Sequence, residues 1–259
     1  MLCMRKHKRG FTLIEVSIFL AVTALLFLSV TIGVQNSIYQ QRYTDAVQSF
    51  ADFLGNLYSE TTNVQSAGNG RSDYAIYGKL AVFASDTNEQ AIYVYNVVGE
   101  ASVNKNDDTR GLLQAAKLGV LIDGGEEGEV STVGITDKYV PRWGSRVQTT
   151  DADSQKDFSG MILVARDPAT GTVRTYINTE MDSISEGDAG DASKVDGLLR
   201  NGLGGFQLKQ VDFCVNPNGN EFSNSRMDVR LANDARNASG VSIMPLDGED
   251  NSCNGGGGV

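Results

Sequence analysis

Histidine is almost absent from this chain: the 259 residues include one, His7, together with three cysteines, four prolines and one tryptophan. Because His7 lies among the first ten residues, the long remainder lacks the imidazole that Ser-His and Cys-His nucleophilic sites require. Two further, widely separated cysteines are too few ligands for a zinc site. No Walker or dinucleotide-binding fingerprint occurs either. We therefore predict a protein that is not an enzyme, with no catalytic residues and no cofactor.

Basic residues are also scarce in the body of the chain. The sequence has 22 Lys and Arg against 32 Asp and Glu, a net charge of −10. Four of the basic residues precede Gly10, so the chain from Phe11 onward has 18 basic and 32 acidic residues and a net charge of −14. Binding to phosphate depends on Lys and Arg displacing counterions. Nucleic acid is therefore not an expected partner.

Three arginines are the weak candidates for contact with nucleic acid. Arg226, Arg230 and Arg236 fall within eleven residues, and the first two share a face if the segment is a strand. Asp228 and Asp234 are interleaved with them. This mixture of charges favours a solvated surface over a binding site.

Acidic loops provide the weak candidates for a metal. The segment "DADSQKD" contains Asp151, Asp153 and Asp157, and carboxylate oxygens are ligands that Ca²⁺ prefers. The segment lacks the glycine and the terminal glutamate of a hand-type calcium loop. A solvated loop is the favoured interpretation, and no metal site is predicted with these residues.

The three cysteines are Cys3, Cys214 and Cys253. Cys3 precedes the apolar segment, which leaves one pair in the body of the chain. If the body lies outside the cytoplasm, Cys214 and Cys253 are candidates for one disulfide that fastens the C-terminal tail. The alternative is two unrelated thiols.

A long apolar segment runs from Phe11 to Val34 and contains one charged residue, Glu15. As a helix its 24 residues extend about 36 Å, enough to cross a hydrocarbon core of about 30 Å. Basic residues before it predict a cytoplasmic N-terminus and a body outside the cytoplasmic membrane. A cleaved secretory signal would be shorter and would end in small residues. The segment therefore predicts a single-pass anchor in the lipid bilayer.

Helical periodicity continues beyond this segment. Apolar residues recur at spacings of three and four, and polar residues occupy the other face. The apolar positions are Tyr39, Tyr43, Ala46, Val47, Phe50, Phe53, Leu54 and Leu57. One helix from about Phe11 to about Asn63 is predicted, whose second half packs on the sheet of its own domain; a coiled coil with another chain is the alternative.

The rest of the chain has the pattern of an antiparallel β domain. Segments rich in β-branched and aromatic residues predict strands, with short turns between several of them. They cover residues 74–84, 91–98, 161–167, 172–178, 206–215, 226–232 and 240–244. The segment 111–123 is compatible with a short helix or with a buried strand. The predicted fold class is α+β, a long N-terminal helix packed on an antiparallel sheet whose short links indicate meanders.

One motif explains the acid within the apolar segment. The stretch "KHKRGFTLIEV", Lys6 to Val16, is a short basic leader ending in Gly10, then Phe11, then Glu15 in an apolar run. It resembles the processing site of type IV pilin-like proteins, which include major and minor pilins and pseudopilins. The specific resemblance extends from about Lys6 to Leu57.

The resemblance implies roles for three residues. A prepilin peptidase would cut after Gly10 and methylate the new terminal amine of Phe11. The carboxylate of Glu15 would act in assembly, where it pairs with the terminal ammonium of a neighbouring pilin or pseudopilin subunit. A buried charge without its partner costs about 3 to 5 kcal/mol, so Glu15 would determine register more than strength.

The resemblance also implies an organisation, a location and partners. Residues 1–10 are the expected leader, 11–34 the transmembrane and assembly helix, 35–65 its amphipathic continuation and 66–259 a pilin-like, β-rich extracytoplasmic domain. The expected role is a minor pilin or pseudopilin that moves from the cytoplasmic membrane into a pilus or pseudopilus with an inner-membrane assembly platform. Two alternatives stay open: an uncleaved, signal-anchored surface protein with a ligand-binding or adhesive body, and a DNA-uptake minor pilin that contacts DNA weakly.

Overall fold

The computed structural model describes residues 12–62, 74–85, 89–100, 117–118, 136–149, 157–166, 172–179, 184–191, 193–195, 197–198, 205–216, 227–235 and 238–244. Two compact units are present, and the boundary between them lies after Thr44. The first consists of the N-terminal part of a long helix. The second contains the rest of that helix and the strands.

The long helix, α1, extends over Leu13–Thr62, which confirms the predicted continuous helix. Up to Thr44 most of its described large apolar side chains are exposed, Leu13 by 84%, and Tyr43 is half-buried. Its length and composition are sufficient to cross a membrane. Exposed leucine, isoleucine and phenylalanine on most sides of a helix are stable in hydrocarbon and not in water, so this part of α1 has the properties of a membrane anchor.

The second unit contains antiparallel strands at nearly all the positions that the sequence predicts. The described strands are β1 (Tyr74–Ser85), β2 (Gln90–Glu100), β3 (Lys117–Leu118), β4 (Asp137–Tyr139), β5 (Arg146–Thr149), β6 (Gly160–Arg166), β7 (Val173–Asn178), β8 (Gln207–Leu208), β9 (Val211–Asn216), β10 (Met227–Leu231), β11 (Asp234–Ala235) and β12 (Val241–Met244). A one-turn helix, α2 (Glu186–Ala189), precedes β8.

The described strands form two sheets. The first has the order β11-β7-β6-β1-β2-β3, with β4 also paired to β2 and β8 to β7. The second has the order β12-β10-β9-β5. The α+β fold class with a helix packed on antiparallel sheets is thus confirmed. The expectation of simple meanders is wrong in one respect, because β6 returns to pair with β1. The predicted strand 206–215 is also divided into β8 and β9.

Aromatic side chains join α1 to the sheets. Phe53 stacks on Tyr139 of β4 with ring centroids 4.5 Å apart. Phe50 meets Phe213 of β9 edge to face at 5.8 Å. Phe50 and Phe213 are fully buried, and each such side chain stabilises the fold by about 1.5 to 3 kcal/mol relative to its exposed state. The amphipathic half of α1 therefore packs on its own domain, as predicted.

The C-terminal end of α1 is held by basic residues of the first sheet. Arg166 of β6 donates from Nη1 to the carbonyl oxygen of Thr62 over 3.0 Å. Lys79 of β1 forms an ion pair with Glu60 at 2.7 Å. The last turn of α1 contains no basic residue of its own. The sheet thus provides the positive charge that stabilises a helix C-terminus.

Tyr58 fastens the same helix from within the core. Its side chain is fully buried, and its hydroxyl donates to the carbonyl oxygen of Ala232 over 2.8 Å. The hydroxyl also shares a hydrogen bond with that of Thr175. Burial raises the pKa of Tyr58 to about 12. The neutral phenol is therefore a structural link between α1, β7 and the chain after β10.

Tyr58→Phe is expected to lower the free energy of unfolding by about 1 to 3 kcal/mol, because the Ala232 carbonyl loses its donor and the buried Thr175 hydroxyl loses its acceptor. Since the folded pKa lies above the unfolded value near 10, the contribution of Tyr58 is complete below pH ~10 and is lost as the pH rises toward 12. Denaturant unfolding at pH 7 and between pH 9 and 12 measures both effects.

Tyr176→Phe is the matched control. The buried hydroxyl of Tyr176 has no hydrogen-bond partner among the described residues, so its removal should leave stability unchanged or slightly raised. Equal losses in the two variants would contradict the role assigned to Tyr58.

A buried glutamine connects the two sheets. Gln90, at the start of β2, donates from Nε2 to the carbonyl oxygens of Val147 and Phe158, each at 3.0 Å. Its Oε1 accepts from the amide of Val147 over 2.7 Å. Val147 belongs to β5 of the second sheet. One side chain therefore provides three buried hydrogen bonds between segments 57 or more residues apart.

Candidate functional site

The N-terminus of α1 is closed by a reciprocal hydrogen-bond arrangement between Thr12 and Glu15. The backbone amide of Thr12 donates to Oε2 of Glu15 over 2.9 Å. The Thr12 hydroxyl donates to the same oxygen over 3.0 Å, and the amide of Glu15 donates back to that hydroxyl over 3.3 Å. This geometry is a capping box, in which an N-cap threonine and a glutamate three residues later satisfy two orphan amides.

The capping box determines where the carboxylate lies. Glu15 is held in the first turn of α1 by Thr12, the residue that follows Phe11. Gly10 and Phe11 themselves lie outside the described residues. A carboxylate at a helix N-terminus interacts favourably with the helix dipole. It is therefore fixed near the point where cleavage after Gly10 would create an ammonium group.

The part of the helix around Glu15 contains no other charged side chain. From Thr12 to Gln41, Glu15 is the only charged residue in the sequence. Hydroxyl groups farther along this stretch bond to carbonyl oxygens of their own helix, as Ser17 does to Leu13 and Thr31 to Phe27. Charges in hydrocarbon are costly unless paired. The site thus has one acid, accessible on an otherwise apolar helix, and no cation within the described part of this stretch.

The described residues combine a helix that is long and apolar enough to cross a membrane, an acid in the first turn of that helix, and antiparallel β-sheets after it. These features fit the class of membrane-anchored proteins. Residues 5–31 match the family model described as "Prokaryotic N-terminal methylation motif". The chain therefore carries the N-terminal motif of type IV pilin-like precursors. This motif implies processing by a prepilin peptidase and assembly with pilins, and it indicates a structural subunit. Comparisons with curated proteins and with solved structures give no match.

The structure places one of the three arginine candidates. Arg230 on β10 is the cross-strand neighbour of Asp212 on β9. Its Nε donates to Oδ1 of Asp212 over 2.8 Å, and its Nη2 to Oδ2 over 3.4 Å. Both side chains are half-buried, so the Arg230 guanidinium is occupied by an internal carboxylate. Arg226 and Arg236 lie outside the described residues, and the nucleic-acid hypothesis remains untested.

Asp157 is the one described member of the weak calcium set. Its carboxylate accepts a hydrogen bond from Arg146 of β5 and forms an ion pair with it. Asp157 also forms an isolated β-bridge with Gln148. Asp151 and Asp153 lie outside the described residues. Within the described part of the chain, no group of three or more His, Cys, Asp or Glu side chains could hold a metal ion.

Cys214 on β9 is buried and disulfide-bonded. It stands opposite Asp228 of β10 and Gln148 of β5 in the second sheet. The other two cysteines, Cys3 and Cys253, lie outside the described residues. Pairing of Cys214 with Cys253 accordingly stays a prediction.

A shallow groove of about 680 Å³ lies between α1 and β12. Its lining contains one carboxylate, Asp52, beside amides, small residues and two aliphatic side chains, namely Gln48, Ala51, Gly55, Asn56, Ser59, Val241 and Ile243. Acid-base chemistry uses a nucleophile, base or second titratable group positioned beside the first. This groove offers no such pair.

Sequence reasoning assigned Glu15 but missed its partner Thr12. The spacing Thr-x-x-Glu before an apolar run is a known signature of a capping box, so the signal was present in "FTLIE". It also missed the turn that carries Trp143, since that turn contacts α1 across about a hundred residues of sequence.

Proposed function

We propose that this chain is a minor pilin or pseudopilin, a structural subunit of a bacterial type IV filament system. A prepilin peptidase cleaves it after Gly10 and methylates the amine of Phe11. The segment from Phe11 to Val34 then holds the subunit in the cytoplasmic membrane until it enters the filament. Its length of 259 residues is more typical of a minor than of a major subunit.

The observation that carries this proposal is the position of Glu15. The capping box with Thr12 fixes the carboxylate in the first turn of a helix whose other side chains in that turn are apolar. Cleavage after Gly10 would place an ammonium group one residue before Thr12. Lateral packing of such helices would remove both charges from water, and each then requires an opposite charge.

Assembly of this kind would require partners in and near the cytoplasmic membrane. Other pilin-like subunits would provide the ammonium that pairs with Glu15 and the apolar helices that replace lipid around α1. An inner-membrane platform would extract the subunit from the bilayer. The second unit, of net negative charge, would lie outside the cytoplasmic membrane, where a Cys214–Cys253 disulfide could form and persist.

The N-terminal peptide of the native protein tests the proposal. Membranes and sheared surface filaments are separated, and the N-terminal peptide mass is measured in each. A peptide that begins at methylated Phe11 in the filament fraction is expected. The same digest, run without reduction, is expected to contain a peptide that links Cys214 to Cys253.

An intact N-terminus found only in membranes would contradict the proposal. That result would favour an uncleaved anchor whose acidic body binds a ligand or an adhesive target. The two classes are thus separated by whether the basic leader is retained.

A further inference from the structure

A strained turn presents the only tryptophan of the chain. Between β4 and β5, residues Arg142–Gly144 form a 3-10 turn in which Trp143 has φ 60° and ψ 27°. It is the one non-glycine residue with positive φ in the described part of the chain. A bulky side chain rarely adopts this conformation, which persists only where surrounding structure imposes it and which is concentrated at functional sites.

Hydrogen bonds to the helix and within the turn impose the conformation. The indole Nε1 of Trp143 donates to Oδ2 of Asp45 on α1 over 2.9 Å. Arg142 Nη1 lies 3.6 Å from the same oxygen. Ser145 donates to the carbonyl oxygen of Arg142 from its amide, over 3.1 Å, and from its hydroxyl, over 2.8 Å. The indole is thus oriented by its polar edge.

The apolar part of the turn faces outward despite this fastening. Trp143 is 58% exposed and Val140 41% exposed. Among the described residues after Thr44, the only other exposed large apolar side chain is Leu208, at 48%. Two of these three residues therefore lie within four positions of one another, beside the exposed guanidinium of Arg142. Tryptophan and arginine are the residue types most enriched where protein interfaces have their strongest contacts.

We propose that the turn Val140–Trp143 is a contact surface for a neighbouring pilin-like subunit in the filament. The inference rests on the proposed function, because the turn is fastened to α1, the helix through which these subunits would pack. A protein partner fits better than a lipid surface. The chain from Phe11 onward has a net charge of −14, which opposes approach to anionic headgroups, whereas the exposed Arg142 guanidinium of the turn can meet a carboxylate of an equally acidic subunit.

Three variants separate contact from conformation. Trp143→Ala removes the indole, and Trp143→Gly removes it while providing a residue that accepts positive φ. Leu208→Ala removes an exposed apolar side chain elsewhere. We expect both Trp143 variants to be processed normally and to enter filaments at least about tenfold less, as for a strong interface residue. The thermal midpoint of each full chain, measured in detergent micelles, should change little.

Normal incorporation of Trp143→Gly would overturn the inference, since the indole would then matter only through the turn conformation. Equal loss in Leu208→Ala would also overturn it, because the effect would not be specific to this turn.

Photo-crosslinking identifies the partner. A p-benzoylphenylalanine residue replaces Arg142 in the full chain, and cells bearing filaments are irradiated. The expected adduct joins position 142 to a second copy or to another chain with a prepilin motif. A lipid adduct, or no adduct in the filament fraction, would contradict the inference. The wild-type chain distinguishes this outcome from failure of the proposed function. If the wild-type chain is absent from filaments and its N-terminal peptide still includes the basic leader, the proposed function itself has failed.

Discussion

Glu15→Val is expected to reduce incorporation into filaments by about 100-fold to several thousand-fold, while cleavage after Gly10 and membrane insertion continue. The reason is that the ammonium at Phe11 of a neighbouring subunit would be buried without its partner, at a cost of about 3 to 5 kcal/mol. Quantitative immunoblots of filament and membrane fractions, with the N-terminal peptide mass as the measure of cleavage, give the comparison.

Glu15→Gln separates the two roles of this side chain. Glutamine occupies the third position of a capping box as glutamate does, so the link to Thr12 is retained while the charge is lost. We expect Glu15→Gln to assemble nearly as poorly as Glu15→Val. Incorporation at the wild-type level by Glu15→Gln would mean that Glu15 acts through the helix cap and not through an ion pair.

Thr12→Ala is the complementary variant. It removes the hydroxyl that Glu15 contacts but leaves the backbone amide and the carboxylate in place. A small decrease in incorporation is expected, consistent with the loss of about 1 kcal/mol of cap stability.

Gln90→Leu is expected to lower the free energy of unfolding of the second unit by about 3 kcal/mol. The substitution takes the donor from the Phe158 carbonyl, the acceptor from the Val147 amide and one of two donors from the Val147 carbonyl. Each buried polar group left unsatisfied costs about 1 to 3 kcal/mol. Denaturant unfolding of the full chain in detergent measures the change.

Gln48→Leu provides the control for this measurement. Gln48 makes one exposed hydrogen bond to Asp52 on the same helix, at 2.9 Å. Such pairs four residues apart contribute about 0.2 to 0.5 kcal/mol. A loss in Gln90→Leu no larger than in Gln48→Leu would refute the role of Gln90 as a link between the sheets.

The sequence alone identified the long N-terminal helix of this protein because the determinants there are local. Twenty-four residues with one charge, Glu15, define a membrane helix without reference to any other segment. The stripe through Phe50 and Leu57 predicted which face of α1 is buried, and both side chains are buried. Strand positions followed from residue type and turns in the same way.

Two residues of the candidate site, Glu15 and Thr12, were also predictable from the sequence. Glu15 was recognised from its place in the motif, and Thr12 was available from the capping spacing. Whether the Arg230 guanidinium is available to contact nucleic acid could not be judged from the sequence. Its occupation by Asp212 depends on the pairing of β9 with β10, which places two residues 18 positions apart side by side.

Tertiary structure alone determined the long-range links. β6 pairs with β1 in the first sheet, Gln90 joins the two sheets, Arg166 closes the end of α1, and Trp143 reaches Asp45. Hydrophobic periodicity specifies which face of an element is buried but not which element covers it. That choice depends on hydrogen bonds and packing among segments that come together only when the whole chain folds.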